Sequence, residues 1–246
     1  MKSVIITGAD RGLGLSLCKE YLGRGFKVFA GKFLEEYTLL EDLREKNKNL
    51  HILSLDVASR ESISAAFNIV NAETKGSRTQ GSLDMLISNA ALMGPVSCSL
   101  YEPPMDLEAV WRSFSVNALG AARMVEIFLP LLDMGEMKRL CFVSSEVSCI
   151  TLMKTSRSGN FPYPMSKSAL NMCVRLMHNQ LYPQGYTFRL FHPGWMKRVQ
   201  QDGTRGEGAL YDPDFIADTA AKYFENSLRD EQRLVMVDYS GYEWPY

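Results

Sequence analysis

The chain alternates between short apolar runs and longer amphipathic segments from one end to the other. The apolar runs are SVIIT, KVFAG, LHILSLD, LDMLISNA, RLCFVSS, TFRLFHPG and RLVMVDY, and the segments between them have apolar residues at helical spacing. The runs lack the two-residue alternation of half-exposed strands, so they are typical of strands buried on both faces. The pattern predicts an α/β fold, a single doubly wound domain over residues 1–246 with a mostly parallel, seven-stranded sheet.

Composition narrows the class of partner. The chain has 27 Lys and Arg against 28 Asp and Glu, so it lacks the positive excess that favours nucleic acid or an anionic membrane. No apolar stretch approaches the ~18 residues of a membrane span, and no signal-peptide pattern precedes the first apolar run. The cysteines are odd in number and lack metal-ligand spacing, so we expect free thiols, no metal and a cytoplasmic protein. They are Cys18, Cys98, Cys141, Cys149 and Cys173.

The first apolar run ends in a turn rich in glycine that leads directly into a helix. Glycines there permit positive φ and let the backbone approach a phosphate, and the amino end of the helix offers unpaired N–H groups. A tight connection between strand and helix would have the same composition, but its place after the first strand favours a nucleotide site. The residues expected to contact the nucleotide are Gly8, Asp10, Arg11, Gly12, Leu13 and Gly14.

A tyrosine and a lysine four residues apart begin a long amphipathic segment. Tyr163 and Lys167 would lie on one helix face. A tyrosine that shares its proton near neutral pH needs its pKa lowered by about three units from about 10, and an ammonium at ~4 Å could supply that. The pair could equally be a surface tyrosine resting on a lysine stem. Pro164 suggests that Tyr163 lies at the helix cap.

The spacing TGxxxGxG of the glycine turn resembles that of the short-chain dehydrogenase/reductase family. The resemblance covers essentially the whole chain and implies a Rossmann fold that binds a nicotinamide cofactor. It also implies contacts with the adenosine part at Asp56 and Val57, and at Asn89 and Ala90, where residues 88–91 read SNAA in place of the family's NNAG. Asp56 could also be an ordinary helix cap.

Charge after the second strand bears on the choice of cofactor. An acidic residue holds the ribose 2′-hydroxyl of NAD, and a basic residue holds the 2′-phosphate of NADP. Here Lys32 stands where NAD-binding members have the acid, and Arg11 is a second cation in the glycine turn. Each could be only a solvated surface charge. Together they predict NADP(H) as the cofactor, and we expect that neutralising both weakens NADPH binding far more than NADH binding.

The resemblance also assigns catalytic roles. Tyr163 would be the general acid and base, and Lys167 would hold the ribose and lower the pKa of Tyr163. Ser145 would bind the substrate oxygen, although residues 151–162 resemble an insertion, which leaves Ser148 as a substitute. Asn117 would bend its helix and pass a water to the lysine. Ser145 could instead cap the next turn, and Asn117 could simply form a buried hydrogen bond to a neighbouring helix.

Three segments, YPMSKSALNM, HPGW and DYSGYEWPY, resemble the C-factor and sniffer subgroup of carbonyl reductases. Pro193 and Gly194 would border the nicotinamide, while His192 is expected to be a packing residue at a strand end. Most family members have a threonine soon after this Pro-Gly pair. Here residues 195–199 read WMKRV, and Thr204 is the first threonine available.

These features predict an oxidoreductase that transfers hydride between NADP(H) and a small carbonyl or alcohol substrate. The alternative is an NADP(H)-binding regulatory protein of the C-factor type with little turnover. A sugar-nucleotide epimerase or dehydratase fits less well, because those enzymes have a different glycine spacing and a longer carboxyl-terminal part. The substrate itself is not predicted. Candidates for lining an apolar pocket are Met93, Tyr101, Met153 and Trp195.

The helix that follows Tyr163 has apolar residues on more than one face. This is consistent with the seam of a homodimer or with burial against the sheet. The residues concerned are Leu170, Met172, Cys173, Val174 and Met177.

Overall fold

One eight-stranded sheet organises the chain in the computed structural model, which describes residues 1–76, 79–95, 100–101, 103–154 and 160–246. Cys98 and part of the 151–162 segment lie outside these residues. The strand order is β3-β2-β1-β4-β5-β6-β7-β8. The strands are β1 (Ser3–Ile6), β2 (Lys27–Lys32), β3 (Leu50–Ser54), β4 (Met85–Ser88), β5 (Arg139–Val143), β6 (Thr187–His192), β7 (Met236–Asp238) and β8 (Glu243–Trp244).

The prediction of a doubly wound, mostly parallel sheet is confirmed, and the sheet has one strand more than the seven expected. The extra strand is β8, which pairs antiparallel with β7. The chain reverses between them because the Asp238 carboxylate accepts hydrogen bonds from the backbone N–H groups of Ser240 and Tyr242, and Gly241 has a φ of +87°. So short a strand gives no periodic signal in the sequence.

Helices cover both faces of the sheet, and each face has its own apolar core. The helices are α1 (Gly12–Gly23), α2 (Leu39–Glu45), α3 (Arg60–Lys75), α4 (Leu107–Phe114), α5 (Gly120–Asp133), α6 (Pro162–Leu181) and α7 (Pro213–Glu225). Helices α3, α5 and α6 contribute to one core, and α1 and α7 contribute to the other. Since both faces are covered, the strands have the continuous apolar runs seen in the sequence.

Helices α4 and α5 are joined by a π-helical segment, Ser115–Leu119, into one continuous helix. Among the described residues this helix, Leu107–Asp133, is the one long and apolar enough to cross a membrane by length and composition. Half of its most apolar window is buried, and Met124, Phe128 and Leu131 lie within a core of the fold. We interpret it as a core helix.

The strand order reverses between β1 and β4, because the chain runs outward to β3 and then returns to the other side of β1. Sheets of this kind bind ligands beyond the carboxyl ends of the strands, at the point of reversal. The glycine turn follows β1 at this edge, and the segments with Asn89, Ser145 and Gly194 follow β4, β5 and β6. The fold therefore brings the predicted site residues to one edge.

Candidate active site

The glycine turn after β1 is packed too tightly for side chains at two positions. Gly8 has a φ of +63°, and a Cβ atom there would lie 2.7 Å from the Cα atom of Ala90. A Cβ atom at Gly14 would lie 2.1 Å from the carbonyl oxygen of Gly8. These two glycines let the turn close on itself and on the segment after β4.

Asn89 and Thr7 fasten the turn to the segment after β4. The Asn89 side-chain amide donates hydrogen bonds of 2.9 Å to the carbonyl oxygens of Thr7 and Gly8. The Thr7 hydroxyl accepts hydrogen bonds of 3.0 Å from the backbone N–H groups of Asn89 and Ala90. Asn89 and Ala90 thus shape the turn. These contacts are present although Ser88 and Ala91 differ from the residues of the family's NNAG motif.

Gly12 is the one of the three motif glycines that faces open space. Its φ is +56°, and a Cβ atom added there would meet nothing within 4 Å. Gly12, Leu13 and Gly14 form the first turn of α1, so their N–H groups have no partners within the helix. The Leu13 side chain is buried in the core. The arrangement fits a pyrophosphate.

Asp10 is buried and bonds to the protein's own backbone. One carboxylate oxygen accepts hydrogen bonds of 2.6 Å from the N–H groups of Phe33 and Leu34, just after β2. Asp10 therefore positions the end of β2 beside the glycine turn. The Asp10 side chain is engaged by two backbone donors, and the contact of Asp10 with the nucleotide stays a prediction.

The two predicted cations are in different environments. The Arg11 guanidinium donates a hydrogen bond of 2.6 Å to the Tyr37 hydroxyl and lies 4.9 Å from the centre of that ring. Lys32 is only 6% exposed, and its Nζ atom lies 2.9 Å from a carboxylate oxygen of Glu41. This hydrogen bond raises the pKa of Lys32. The positive charge of Lys32 is thus already balanced by Glu41, whereas no carboxylate among the described residues forms an ion pair with Arg11.

Asp56 and Val57 follow β3. The Asp56 carboxylate accepts a hydrogen bond of 2.8 Å from the N–H of Ala58, so it also stabilises its own turn. The cap of α3 is Ser59, whose hydroxyl accepts a hydrogen bond from Ser62. Val57 is buried against Gly120. A Cβ atom added at Gly120 would lie 2.9 Å from the Val57 side chain.

Tyr163 and Ser145 meet where α6 begins and β5 has ended. Tyr163 is the second residue of α6, after Pro162, so it lies inside the first turn and not at the cap. Burial raises the pKa of Tyr163 to about 12, and a hydrogen bond with Ser145 acts in the opposite direction. The Ser145 hydroxyl also accepts a hydrogen bond of 3.4 Å from the N–H of Val147.

Lys167 lies one turn further along α6 and is almost completely buried. Its Nζ atom donates a hydrogen bond of 2.8 Å to the carbonyl oxygen of Val143 and lies 5.7 Å from the centre of the Tyr163 ring. Burial lowers the pKa of Lys167 to about 7. At this pKa the lysine is only partly protonated near neutral pH, because it is desolvated and bonded to a neutral carbonyl.

Ser148 belongs to a different group of contacts. Its hydroxyl donates a hydrogen bond of 2.5 Å to the carbonyl oxygen of Ser145 and accepts one of 2.8 Å from the Asn171 amide. Asn171 also accepts a hydrogen bond of 2.6 Å from Ser144. Ser148 thus fastens the turn after β5 to α6. The geometry favours Ser145 over Ser148 as the serine that acts beside Tyr163.

Asn117 is in the π-helical segment, and its side chain connects three parts of the fold. Its carbonyl oxygen accepts a hydrogen bond of 2.7 Å from the N–H of Leu92, and its amide donates bonds of 2.8 Å to the Leu92 carbonyl oxygen and the Ser166 hydroxyl. Asn117 therefore holds the segment after β4 against the first turn of α6. The hydrogen bond to Ser166 in α6 agrees with the buried bond to a neighbouring helix that the sequence allowed, and the catalytic role of Asn117 stays a prediction.

Pro193 and Gly194 follow β6 at the same edge. Gly194 has a φ of +75°, and a Cβ atom there would lie 2.9 Å from the ring of Tyr239 and 3.1 Å from that of Tyr211. His192 packs with its ring 5.4 Å from that of Trp244. Thr204 bonds to the Asp202 carboxylate at 2.7 Å.

Sequence reasoning missed three residues that organise the site: Tyr37, Glu41 and Asn171. Asn171 lies one turn after Lys167, and a polar residue on that face of an apolar helix was a usable signal. Tyr37, just before α2, and Glu41, within it, become neighbours of Arg11 and Lys32 only through tertiary packing, which no local pattern indicates.

A doubly wound sheet with an open glycine turn, and a Ser–Tyr–Lys group at the neighbouring strand ends, defines a nucleotide-binding α/β protein of the oxidoreductase class. The family model for short chain dehydrogenases matches residues 2–207. The chain belongs to that family.

Individual relatives agree with this assignment. The chain is 35% identical over 166 residues to C-signal of Myxococcus xanthus. This alignment covers 68% of the present chain and 94% of C-signal. Two solved structures cover the whole chain at 25% identity, each with a TM-score of 0.84. One is an NADPH-bound carbonyl reductase from chicken fatty liver, matched over 99% of its length. The other is the carbonyl reductase Sniffer of D. melanogaster, matched over 100%.

Proposed function

We propose that the protein is an NADP(H)-dependent carbonyl reductase or alcohol dehydrogenase that acts on a small molecule. The observation that carries the proposal is the hydrogen bond between Ser145 and Tyr163 beside the buried Lys167, at the edge where the glycine turn opens. The likeness to the chicken and D. melanogaster carbonyl reductases supports it.

The residues at this edge suit a carbonyl reduction. When bound, NADPH would supply a hydride to the carbonyl carbon. Tyr163 gives its hydroxyl proton to the carbonyl oxygen, so that the product is an alcohol, and the Ser145 hydroxyl donates a hydrogen bond to the same oxygen. Lys167 holds the nicotinamide ribose and, once protonated, stabilises the tyrosinate. Solvent returns the proton along Lys167, through a water held near Asn117.

The parts of the cofactor are assigned to different residues. The first turn of α1, Gly12 to Gly14, holds the pyrophosphate through its N–H groups. Arg11 binds the 2′-phosphate, because its guanidinium is held in place by Tyr37 without being neutralised by it. Asp56 and Val57 lie beside the adenine, and Pro193 and Gly194 border the nicotinamide. The cysteines that the structure describes, Cys18, Cys141, Cys149 and Cys173, are free thiols. Free thiols favour the reducing cytoplasm as the place of the reaction.

The test is binding followed by turnover. The purified protein is titrated with NADPH and with NADH, and the absorbance of NADPH is then followed with a panel of aldehydes, ketones and quinones. We expect NADPH to bind more tightly than NADH and at least one substrate to be reduced. A Tyr163→Phe variant should retain NADPH binding and lose at least about 100-fold in turnover.

The matched control is Tyr182→Phe at the opposite end of α6, where the ring stacks on His178. That variant should keep its turnover. Full turnover in Tyr163→Phe would exclude the mechanism. Tight NADPH binding without any turnover would favour the regulatory alternative, which the likeness to C-signal raises.

A further inference from the structure

The segment after β6, residues 196–211, includes a small hairpin, and the whole segment is here called the 196–211 hairpin. Val199 and Arg205 pair across it in antiparallel fashion. The N–H of Gln200 donates a hydrogen bond of 3.0 Å to the Thr204 carbonyl oxygen, and the N–H of Gly206 donates one of 2.7 Å to that of Arg198. The segment is thus an ordered ribbon with its tip at residues 201–203.

The base of the 196–211 hairpin lies just after β6, and its tip lies at the start of α2. Its base is closed by a hydrogen bond of 2.8 Å from the N–H of Lys197 to the Tyr211 carbonyl oxygen, close to Gly194. Its tip reaches Leu39, the first residue of α2, since a Cβ atom at Gly203 would lie 3.4 Å from that side chain. Leu39 is two residues from Tyr37, which holds Arg11. The hairpin therefore extends from the end of β6 to the side of β2.

Arg205 connects this hairpin to the helices beneath it. Its guanidinium lies 3.2 Å from a carboxylate oxygen of Asp212 and 3.0 Å from one of Asp214. The other oxygen of Asp214 accepts a hydrogen bond of 2.5 Å from the hydroxyl of Ser16 in α1, and Lys19 lies 3.5 Å from it. Asp214 thus joins the hairpin to the helix whose first turn faces the open space at Gly12.

We propose that Arg205 is a positioning residue that holds the 196–211 hairpin across the bound cofactor and thereby slows its release. The inference rests on the proposed function, because it takes the groove beside Gly12 as the cofactor site. The three anchors lie at Gly194 just after β6, at Leu39 at the start of α2, and at Ser16 in α1. A hairpin fixed at all three must move before a molecule lying along that groove can leave.

Two carboxylates hold one guanidinium here, and its side chain is only 27% exposed. Such an arrangement is more favourable than an isolated surface pair, in which a single contact contributes little. Because these groups do not touch the reacting atoms, loss of Arg205 should act on the lifetime of the complex and leave the chemical step unchanged.

The test measures the rate at which NADPH dissociates. The protein is loaded with NADPH, mixed rapidly with excess NADP⁺, and followed by nucleotide fluorescence. We expect Arg205→Ala to release NADPH about three- to tenfold faster, with Arg205→Lys in between and the association rate unchanged. Adding Asp214→Asn to Arg205→Ala should produce little further increase, because both changes remove the same contact.

The matched control is Arg233→Ala, which breaks an exposed ion pair with Glu243 at the far edge of the sheet. It should release NADPH at the wild-type rate, and thermal unfolding of the apoproteins should show that both arginine variants remain folded. Wild-type release from Arg205→Ala would overturn this inference alone. If the wild-type protein bound no NADPH, the proposed function and this inference would both fail.

Discussion

The Nζ atom of Lys167 donates a hydrogen bond of 2.8 Å to the carbonyl oxygen of Val143, the last residue of β5. The lysine is 2% exposed, and a neutral carbonyl compensates only part of the lost hydration of an ammonium group. Burial therefore lowers the pKa of Lys167 to about 7. The protein without cofactor keeps this lysine close to its titration midpoint at neutral pH.

This lysine should make the stability of the apoprotein depend on pH. Its pKa is lowered in the folded state, so above about pH 7 the unfolded chain binds a proton that the folded chain does not. The free energy of unfolding should then rise with pH, by at most about 1.4 kcal/mol per pH unit for this group. Urea unfolding at about pH 6.5, 7.5 and 8.5 measures the slope.

A Lys167→Met variant should lack this contribution and show a flatter pH profile. Lys19→Met, which removes a half-exposed lysine on α1, is the control and should follow the wild type. Parallel profiles for wild type and Lys167→Met would contradict the assignment of the slope to this lysine.

Ser145 and Ser148 should separate catalysis from stability. Ser145→Ala should lower kcat by about 100-fold and leave the melting temperature nearly unchanged, because the substrate oxygen loses a donor. Ser148→Ala should destabilise the fold by about 1–3 kcal/mol, because it removes the hydroxyl that bonds both the Asn171 amide and the Ser145 carbonyl oxygen. Steady-state kinetics and thermal unfolding of both variants test this, and the reverse pattern would move the catalytic role to Ser148.

Arg11 and Lys32 should contribute unequally to cofactor preference. Arg11→Ala should weaken NADPH binding by about tenfold or more and change NADH binding little, because it removes the cation held by Tyr37. Lys32→Ala should have a smaller effect on NADPH, since Glu41 already neutralises that charge. Fluorescence titration of each variant with both nucleotides measures the preference. Equal losses for NADPH and NADH in Arg11→Ala would contradict the 2′-phosphate site.

The outer face of α6 should form the seam of a homodimer. Met172 and Leu176 on this helix are each 61% exposed, which is unusual for two apolar residues one turn apart. Leu176→Glu should therefore shift the protein from dimer to monomer, as measured by light scattering after gel filtration. Ile69→Glu on α3 is the control, because Ile69 is also exposed but lies on another helix. A monomeric wild-type protein would remove the basis of this prediction.

The fold was predictable because burial on both faces leaves a clear record in the sequence. The apolar runs locate every parallel strand, and the glycine turn, Tyr163 and Lys167 lie at the edge where parallel strands end. The resemblance in motif spacing then ordered these residues into one site. Local sequence patterns were sufficient to predict the position of a residue wherever that position depends only on the residue's own strand or helix.

The remaining features depend on contacts between distant segments. Tyr37 reaches Arg11 across 26 positions, and Asn117 reaches Ser166 across 49. The expectation for the pKa of Tyr163 treated Lys167 as an ammonium ion at a fixed distance. It could not include the desolvation of both groups, which acts in the opposite direction. The two backbone donors that Asp10 binds after β2 are likewise invisible in a linear sequence.

The position of β1 in the middle of the sheet has a consequence for synthesis of the chain. The glycine turn is held in shape by Asn89, which binds the carbonyl oxygens of Thr7 and Gly8 from 82 and 81 positions away. A ribosome-bound fragment that ends before β4 has emerged therefore has the motif but lacks its partner strand and the amide that closes the turn. Because such non-local contacts form late, the nucleotide pocket takes shape only after β4 has paired with β1, although the glycine motif that marks it follows β1 directly.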